Sequence, residues 1–156
     1  MRKIYNMLLM ITKLLWFKME MEKIARWAYI AFVVIAVVMG LAVGYMAYDK
    51  HTADVPGSGW EDPDVKNING YVMLIMLILG IIIGVTSITA KEVTPFLMAT
   101  IALVVAASAN VWSPLGKISP LLDYWASGIL WYIVAFAAPA AVIIAVKSIL
   151  PIVKEK

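Results

Sequence analysis

The sequence contains no cysteine. Disulfides, thiolate metal sites and thiol nucleophiles are therefore excluded, and the redox compartment is left open. Charge is scarce as well. Only 15% of the 156 residues are Asp, Glu, Lys or Arg, where a soluble domain carries about a quarter. What charge there is avoids the apolar runs, none of which holds a clear Asp, Glu, Lys, Arg or His near its middle. Pumps and ion-coupled transporters place such residues near the membrane midplane. Their absence, with no detectable inverted repeat, argues against a proton relay or a secondary transporter working alone. No Gly-rich loop opens a helix after a strand, so there is no nucleotide fingerprint. The net charge of +3 does not point to nucleic acid, because the basic residues are confined to particular ends and loops.

What is present is apolar surface. The chain is 63% hydrophobic, with a mean hydropathy of +0.91. A domain of this size cannot hide that much apolar area in a core, so lipid is the expected solvent for much of its outside. The apolar runs predict an all-α integral membrane protein with four spans, at about 24–48, 71–88, 95–111 and 124–146. The lipid bilayer is the first partner this implies. The central pair, 71–88 and 95–111, is the stretch around which the rest is arranged. The polar turn between them is so short that they are expected to be antiparallel neighbours.

Residues 1–23 form a separate basic segment. Arg2, Asn6, Lys13 and Glu20 recur at helical spacing among Ile4, Leu8, Leu9, Ile11, Leu14, Leu15, Trp16 and Phe17, so a polar stripe faces an apolar side. This predicts an amphipathic helix lying in the headgroup region. Lys18 falls off the polar stripe. Lys13 interrupts the apolar run and no small-residue cleavage site follows, which argues against a cleaved signal peptide. Met19 and Met21 offer alternative start sites, so an over-extended reading frame of 18 residues is a competing reading.

Span one is entered at Arg26 and Trp27 and left at Tyr45 and Tyr48, ring types that favour the membrane interface. Gly40 and Gly44 have the small-xxx-small spacing that lets another helix approach closely, and Gly80 and Gly84 repeat it in span two. Span three is rich in small residues, among them Ala99, Ala102, Ala106 and Ala107, and is expected to face protein rather than lipid. At about 17 residues it sits at the lower edge of what crosses a bilayer. Thr94-Pro95 reads as an N-cap followed by proline at the first helical position. Lys91 is the cation expected at the C-terminus of span two. In span four, Trp125, Trp131 and Tyr132 resemble an aromatic belt, and Pro139 predicts a kink.

Two outer loops complete the chain. The first, 49–70, carries Asp49, Asp54, Glu61, Asp62 and Asp64 against Lys50 and Lys66, and it is long for a compact domain. Trp60 is expected to fold back to the interface. The second, 112–123, carries only Lys117 and Asp123. With both termini in the cytoplasm, Arg2, Lys3, Lys13, Lys18, Lys23, Arg26, Lys91, Lys147, Lys154 and Lys156 lie inside. Lys50, Lys66 and Lys117 lie outside. Ten against three is a strong positive-inside bias, so the chain is expected in the plasma membrane with N-in, C-in topology.

Candidate chemistry is thin. His51 with Asp49 and Asp54 can be drawn as a metal site, but one imidazole is a weak ligand set and a solvated loop histidine is the better default. The acids at 61–64 do not match the spacing of a calcium-binding loop. Ser58 near His51 is the one nucleophile–base pairing, on no visible scaffold. No catalytic residue, metal or cofactor is therefore assigned, and an enzyme built on the His51 loop ranks last.

The leading expectation is a protein that acts by helix packing through Gly40, Gly44, Gly80, Gly84, Ala102 and Ala106. It would be a self-assembling structural protein or an accessory subunit, so its partners are itself or other membrane subunits. The alternative is a homo-oligomeric pore lined by Thr86, Ser87, Thr100, Ser108 and Asn110, which needs no intramembrane charge.

Overall fold

The computed structural model describes residues 2–52, 55, 57–86, 93–109 and 111–154. Among these, all regular structure is helical. Helix α1 is Arg2–Asp49, α2 is Pro63–Thr86, α3 is Val93–Ser108 and α4 is Pro120–Lys154. Short 3-10 turns at Ser58–Glu61 and Ser113–Lys117 lead into α2 and α4. Three stretches are long and apolar enough to cross a membrane by length and composition: Trp27–Asp49, Pro63–Thr86 and Pro120–Leu150. This architecture is consistent with a membrane protein. Its helices are apolar on the outside as well as the inside. Val34, Val38, Leu74, Ile78, Ile82 and Val142 are all exposed large hydrophobics, the pattern of a helix solvated by something other than water.

Helix α4 is the hub. It packs against α1, α2 and α3, whereas α3 packs along α4 and brings no Cα within 8 Å of α2 among the described residues. The central hairpin expected from the sequence is therefore not a packed pair: the chain leaves α2 and docks α3 elsewhere. The short linker limits how far apart the facing helix ends can lie, but not the angle at which the helices diverge. Phe96 of α3 also reaches the Tyr29 ring of α1, with centroids 6.3 Å apart.

Helix directions follow from what faces what. Gly40 of α1 faces Ile129 and Gly44 faces Tyr124, so α1 and α4 are antiparallel. Gly80 of α2 faces Phe136 and Gly84 faces Ala140, so α2 and α4 are parallel. Helix α2 thus ends beside the C-terminal part of α4, and the chain between them must return along the bundle before α4 can begin. Helix α3 provides that return. Its 16 residues reach about 24 Å at 1.5 Å per residue, short of the roughly 30 Å of a hydrocarbon core.

The core lies along α4. Tyr132, Phe136, Ala137, Ala140 and Ile144 are essentially inaccessible, and the first three cluster with Ala36, Val43 and Ala47 of α1 and Val72, Met76 and Ile83 of α2. The Phe136 ring is the centrepiece, 5.4 Å from Phe32 and 5.7 Å from Tyr29 between centroids.

Several boundaries differ from the sequence expectation. Helix α1 does not break at residue 23 but runs for 48 residues, and every described side chain from Lys3 to Glu20 is exposed. Helix α2 starts at Pro63, not Tyr71. Asp62 is its N-cap: the backbone N–H groups of Asp64 and Val65 donate to Asp62 Oδ1 at 3.0 and 3.5 Å. Pro63 occupies the first position, where its missing N–H costs nothing. At the other proline the sequence overstated the signal, because α3 begins at Val93, before Thr94 and Pro95. Lys91 lies outside the described residues.

Candidate functional site: the α4 seam and the pocket at its start

Two features concentrate the unusual contacts: the seam along α4 and a pocket at the end where α1 finishes and α4 begins. The seam depends on glycine. A Cβ on Gly40 would sit 2.5 Å from the Ile129 Cα, and one on Gly80 would sit 2.1 Å from the Phe136 carbonyl oxygen. Real Cβ atoms do not approach backbone so closely, so both sites admit α4 only because no side chain is there. Gly44 meets the Tyr124 carbonyl and Gly84 meets Ala140 in the same manner. From the other side, Gly128 of α4 opposes the Gly40 carbonyl. All four predicted glycines therefore face α4 within one chain, which leaves their notches filled.

The alanines expected to share this role lie elsewhere. Ala102 is exposed and Ala106 half-buried, both on α3, where Thr100 is the buried residue. The predicted pore residues do not converge either. Thr86 donates to the Ile82 carbonyl at 2.7 Å, Thr100 to Phe96 at 2.9 Å and Ser108 to Val104 at 2.8 Å. Each is thus engaged with its own helix, on two helices that do not touch. Ser87 and Asn110 lie outside the described residues.

Polar contacts pin the seam at three levels. The Tyr132 hydroxyl donates to Asn69 Oδ1 of α2 at 2.8 Å, which satisfies a phenol that is otherwise wholly buried. At one end, Lys147 Nζ donates to the Gly84 carbonyl at 3.2 Å and to the Val85 carbonyl. A cation thus closes the negative end of α2, supplied by α4 across the seam. At the other end, the Gly59 N–H donates to the Tyr124 hydroxyl at 3.2 Å. Gly59 also lies against Ala47, whose carbonyl oxygen would be 1.7 Å from any Cβ there. Gly57 supplies the left-handed turn before it, at φ 78°.

The pocket at the start of α4 has a volume of about 580 Å³, within the range of small-molecule sites. Its walls come from the first loop (His51, Thr52, Trp60), the second loop (Ser113, Lys117) and the start of α4 (Asp123, Tyr124, Ser127, Trp131). Trp60, expected from the sequence at the membrane interface, packs on α4: its ring lies 5.8 Å from Tyr124 and 5.0 Å from Trp131 between centroids. His51 is held by packing. Its ring stacks on Tyr48 at 4.8 Å, and Nδ1 donates to the Tyr48 carbonyl. The loop acids are also engaged locally, with Asp62 capping α2 and Glu61 paired to Lys66 at 3.3 Å. Among the described residues no group of three or more His, Asp and Glu side chains is placed to hold a metal ion.

Asp123 is the exception. Its Oδ1 is buried and has no hydrogen-bond partner, although Ser127 one turn on interacts with the carboxylate. Lys117 lines the same pocket and forms no ion pair with it. Part of Asp123's placement is ordinary, since an acid in the first turn suits the positive end of α4. Sequence reasoning placed Asp123 in a loop, read Asn69 only as a possible oxygen ligand beside the acids at 61–64, and gave Gly128 no role. The spacing of Gly128 from other glycines carries no signal, and Asn69 is recognisable only once α2 is known to begin at Pro63.

The chain matches no protein-family model, no curated protein and no solved structure.

Proposed function

We propose that this chain is a four-span protein of the plasma membrane, with both termini cytoplasmic, that acts by helix packing as a self-assembling protein or as a subunit of a membrane complex. The observation that carries this reading is the state of α3. It is rich in small residues, yet only Thr100 is buried, and Met98, Ile101, Ala102 and Val105 are exposed. Small residues are enriched where transmembrane helices meet other helices. Because the glycine notches of α1 and α2 are already filled by α4, contact with a further chain falls to α3. A helix of 16 residues is also a marginal lone crossing, which a covering partner helix would support. The ten-to-three partition of basic residues supports the orientation.

The lack of cysteine makes the test direct. A single Ala102→Cys variant is expressed in native membranes, oxidised, and the extracted protein is weighed by native mass spectrometry. A disulfide-linked pair of this chain supports self-assembly through α3. Monomeric protein held to other chains supports the subunit reading. Monomer alone, with no cross-link and no co-purifying chain, removes both.

A further inference from the structure

The pocket at the start of α4 has a chemistry that the packing role does not use. Its carboxylate, Asp123, lines the cavity; Ser127 interacts with it, while its Oδ1, which can only accept hydrogen bonds, is buried without a partner. An unpaired buried acceptor is costly, and a charged one more so. The rings of Trp60, Tyr124 and Trp131 line the same cavity. Aromatic rings attract cations electrostatically, and alkylated ammonium groups especially, because these present apolar methyls together with positive charge. Lys117 shares the lining without pairing to Asp123. A simple cation would be repelled by that lysine, whereas a molecule carrying its own anion would be held by it. A cavity of about 580 Å³ is ample for a small zwitterion.

We propose that this pocket binds a zwitterion in which an ammonium group is joined through a short linker to a phosphate. The ammonium is received by Asp123 and the aromatic rings, the phosphate by Lys117. Such a group comes from two sources, the headgroup of a zwitterionic phospholipid or a free phosphorylated amino alcohol. The proposal is independent of whether α3 binds another chain.

The test uses the full chain in phosphatidylglycerol nanodiscs, titrated with phosphocholine by isothermal calorimetry. Saturable binding is expected, with choline alone and inorganic phosphate alone each about tenfold weaker or more, because each uses only one of the two charged partners. Asp123→Asn is expected to weaken phosphocholine binding about tenfold or more. Lys117→Met, at an exposed position, is expected to weaken it while leaving choline binding unchanged or improved. Repeating the titration with phosphatidylcholine as half the lipid separates the sources. A fall in apparent affinity shows that membrane headgroups fill the site, and no change shows that the free molecule does. The proposal is overturned if phosphocholine gives no saturable heat, if choline binds wild type as well as phosphocholine does, or if Lys117→Met binds phosphocholine like wild type. The wild-type and Lys117 arms decide the matter even if Asp123→Asn does not fold.

Discussion

Helices α2 and α3 are both strongly apolar and adjacent in sequence, yet they are held in opposite ways. Helix α2 buries Val65, Val72, Met76, Gly80, Ile83 and Gly84, whereas α3 buries Thr100 alone. Helix α2 is also fixed by polar contacts at both ends of its seam, through Asn69 to Tyr132 and through Lys147 to its last carbonyls. The described contacts of α3 with the rest of the bundle are packing along α4 and the Phe96 ring. The difference teaches that small residues do not by themselves create a close contact. Two glycines four residues apart leave a notch down to backbone, and α4 fills it with the Phe136 carbonyl and the Pro139 ring. Alanines keep a Cβ on every turn, so a helix that carries them offers a smooth face that a neighbour can use or leave.

The strongest way to break this comparison is to fill the notch. Gly80→Leu places a branched side chain where even a Cβ would lie 2.1 Å from a backbone oxygen. Relief requires α2 to move off α4, which would also strain the Tyr132–Asn69 bond. The expected loss is about 3 kcal/mol, at the upper end of overpacking effects, read as a fall in the thermal midpoint of the detergent-solubilised protein. An unchanged midpoint would mean that the α2–α4 seam contributes little to the fold.

This asymmetry was only partly legible in the sequence. The three long apolar helices could be read directly, because runs of that length without charge have few other uses. The notches were legible as glycine spacing, but not what fills them. That depends on Pro139 and Ala140 arriving from a helix more than fifty residues away, and spacing within one helix says nothing about its neighbour. The hairpin expectation failed for a related reason: a short turn restricts chain connectivity, while packing is decided by which faces fit. The start of α2 was missed although Asp62-Pro63 carries an N-cap and first-turn proline signal. The surrounding acids and glycines made the whole stretch read as loop. In the pocket, Trp60 and Trp131 were read as interface aromatics, but the isolation of the Asp123 oxygen is a tertiary fact.

Two smaller predictions sharpen what fixes α2. Tyr132→Phe removes the hydroxyl that donates to Asn69 and leaves the ring packing in place. The expected cost is about 1 kcal/mol, since hydrogen bonds between membrane helices are individually modest. A combined Tyr132→Phe, Asn69→Leu variant should lose little more than either change alone, and fully additive losses would show that the two residues act separately. Lys147→Met removes the cation from the C-terminal carbonyls of α2. The expected cost is about 0.3–1 kcal/mol, and the difference from wild type should shrink in high salt. Hydrogen exchange localises it: the last turn of α2 should exchange faster, while amides near Met76 stay protected.

The smallest expected effect tests the other side of the comparison. Ala102→Leu introduces the same side chain into α3 that is disruptive at Gly80. Because Ala102 is exposed, the added leucine meets no backbone within its own chain, and the thermal midpoint of the isolated monomer should stay within about 0.5 kcal/mol of wild type. Its effect should appear between chains instead. If α3 is the surface on which a further helix sits, the added bulk holds that helix away, and the assembly extracted from native membranes should dissociate more readily. Stability unchanged and assembly weakened is the combination that only an interface on α3 produces. A loss of monomer stability would show that α3 is packed as closely as α2, and the contrast between the two helices would disappear. No change in either quantity would leave α3 a lipid-facing helix and move the search for a partner surface to the exposed apolar side chains of the first 20 residues of α1.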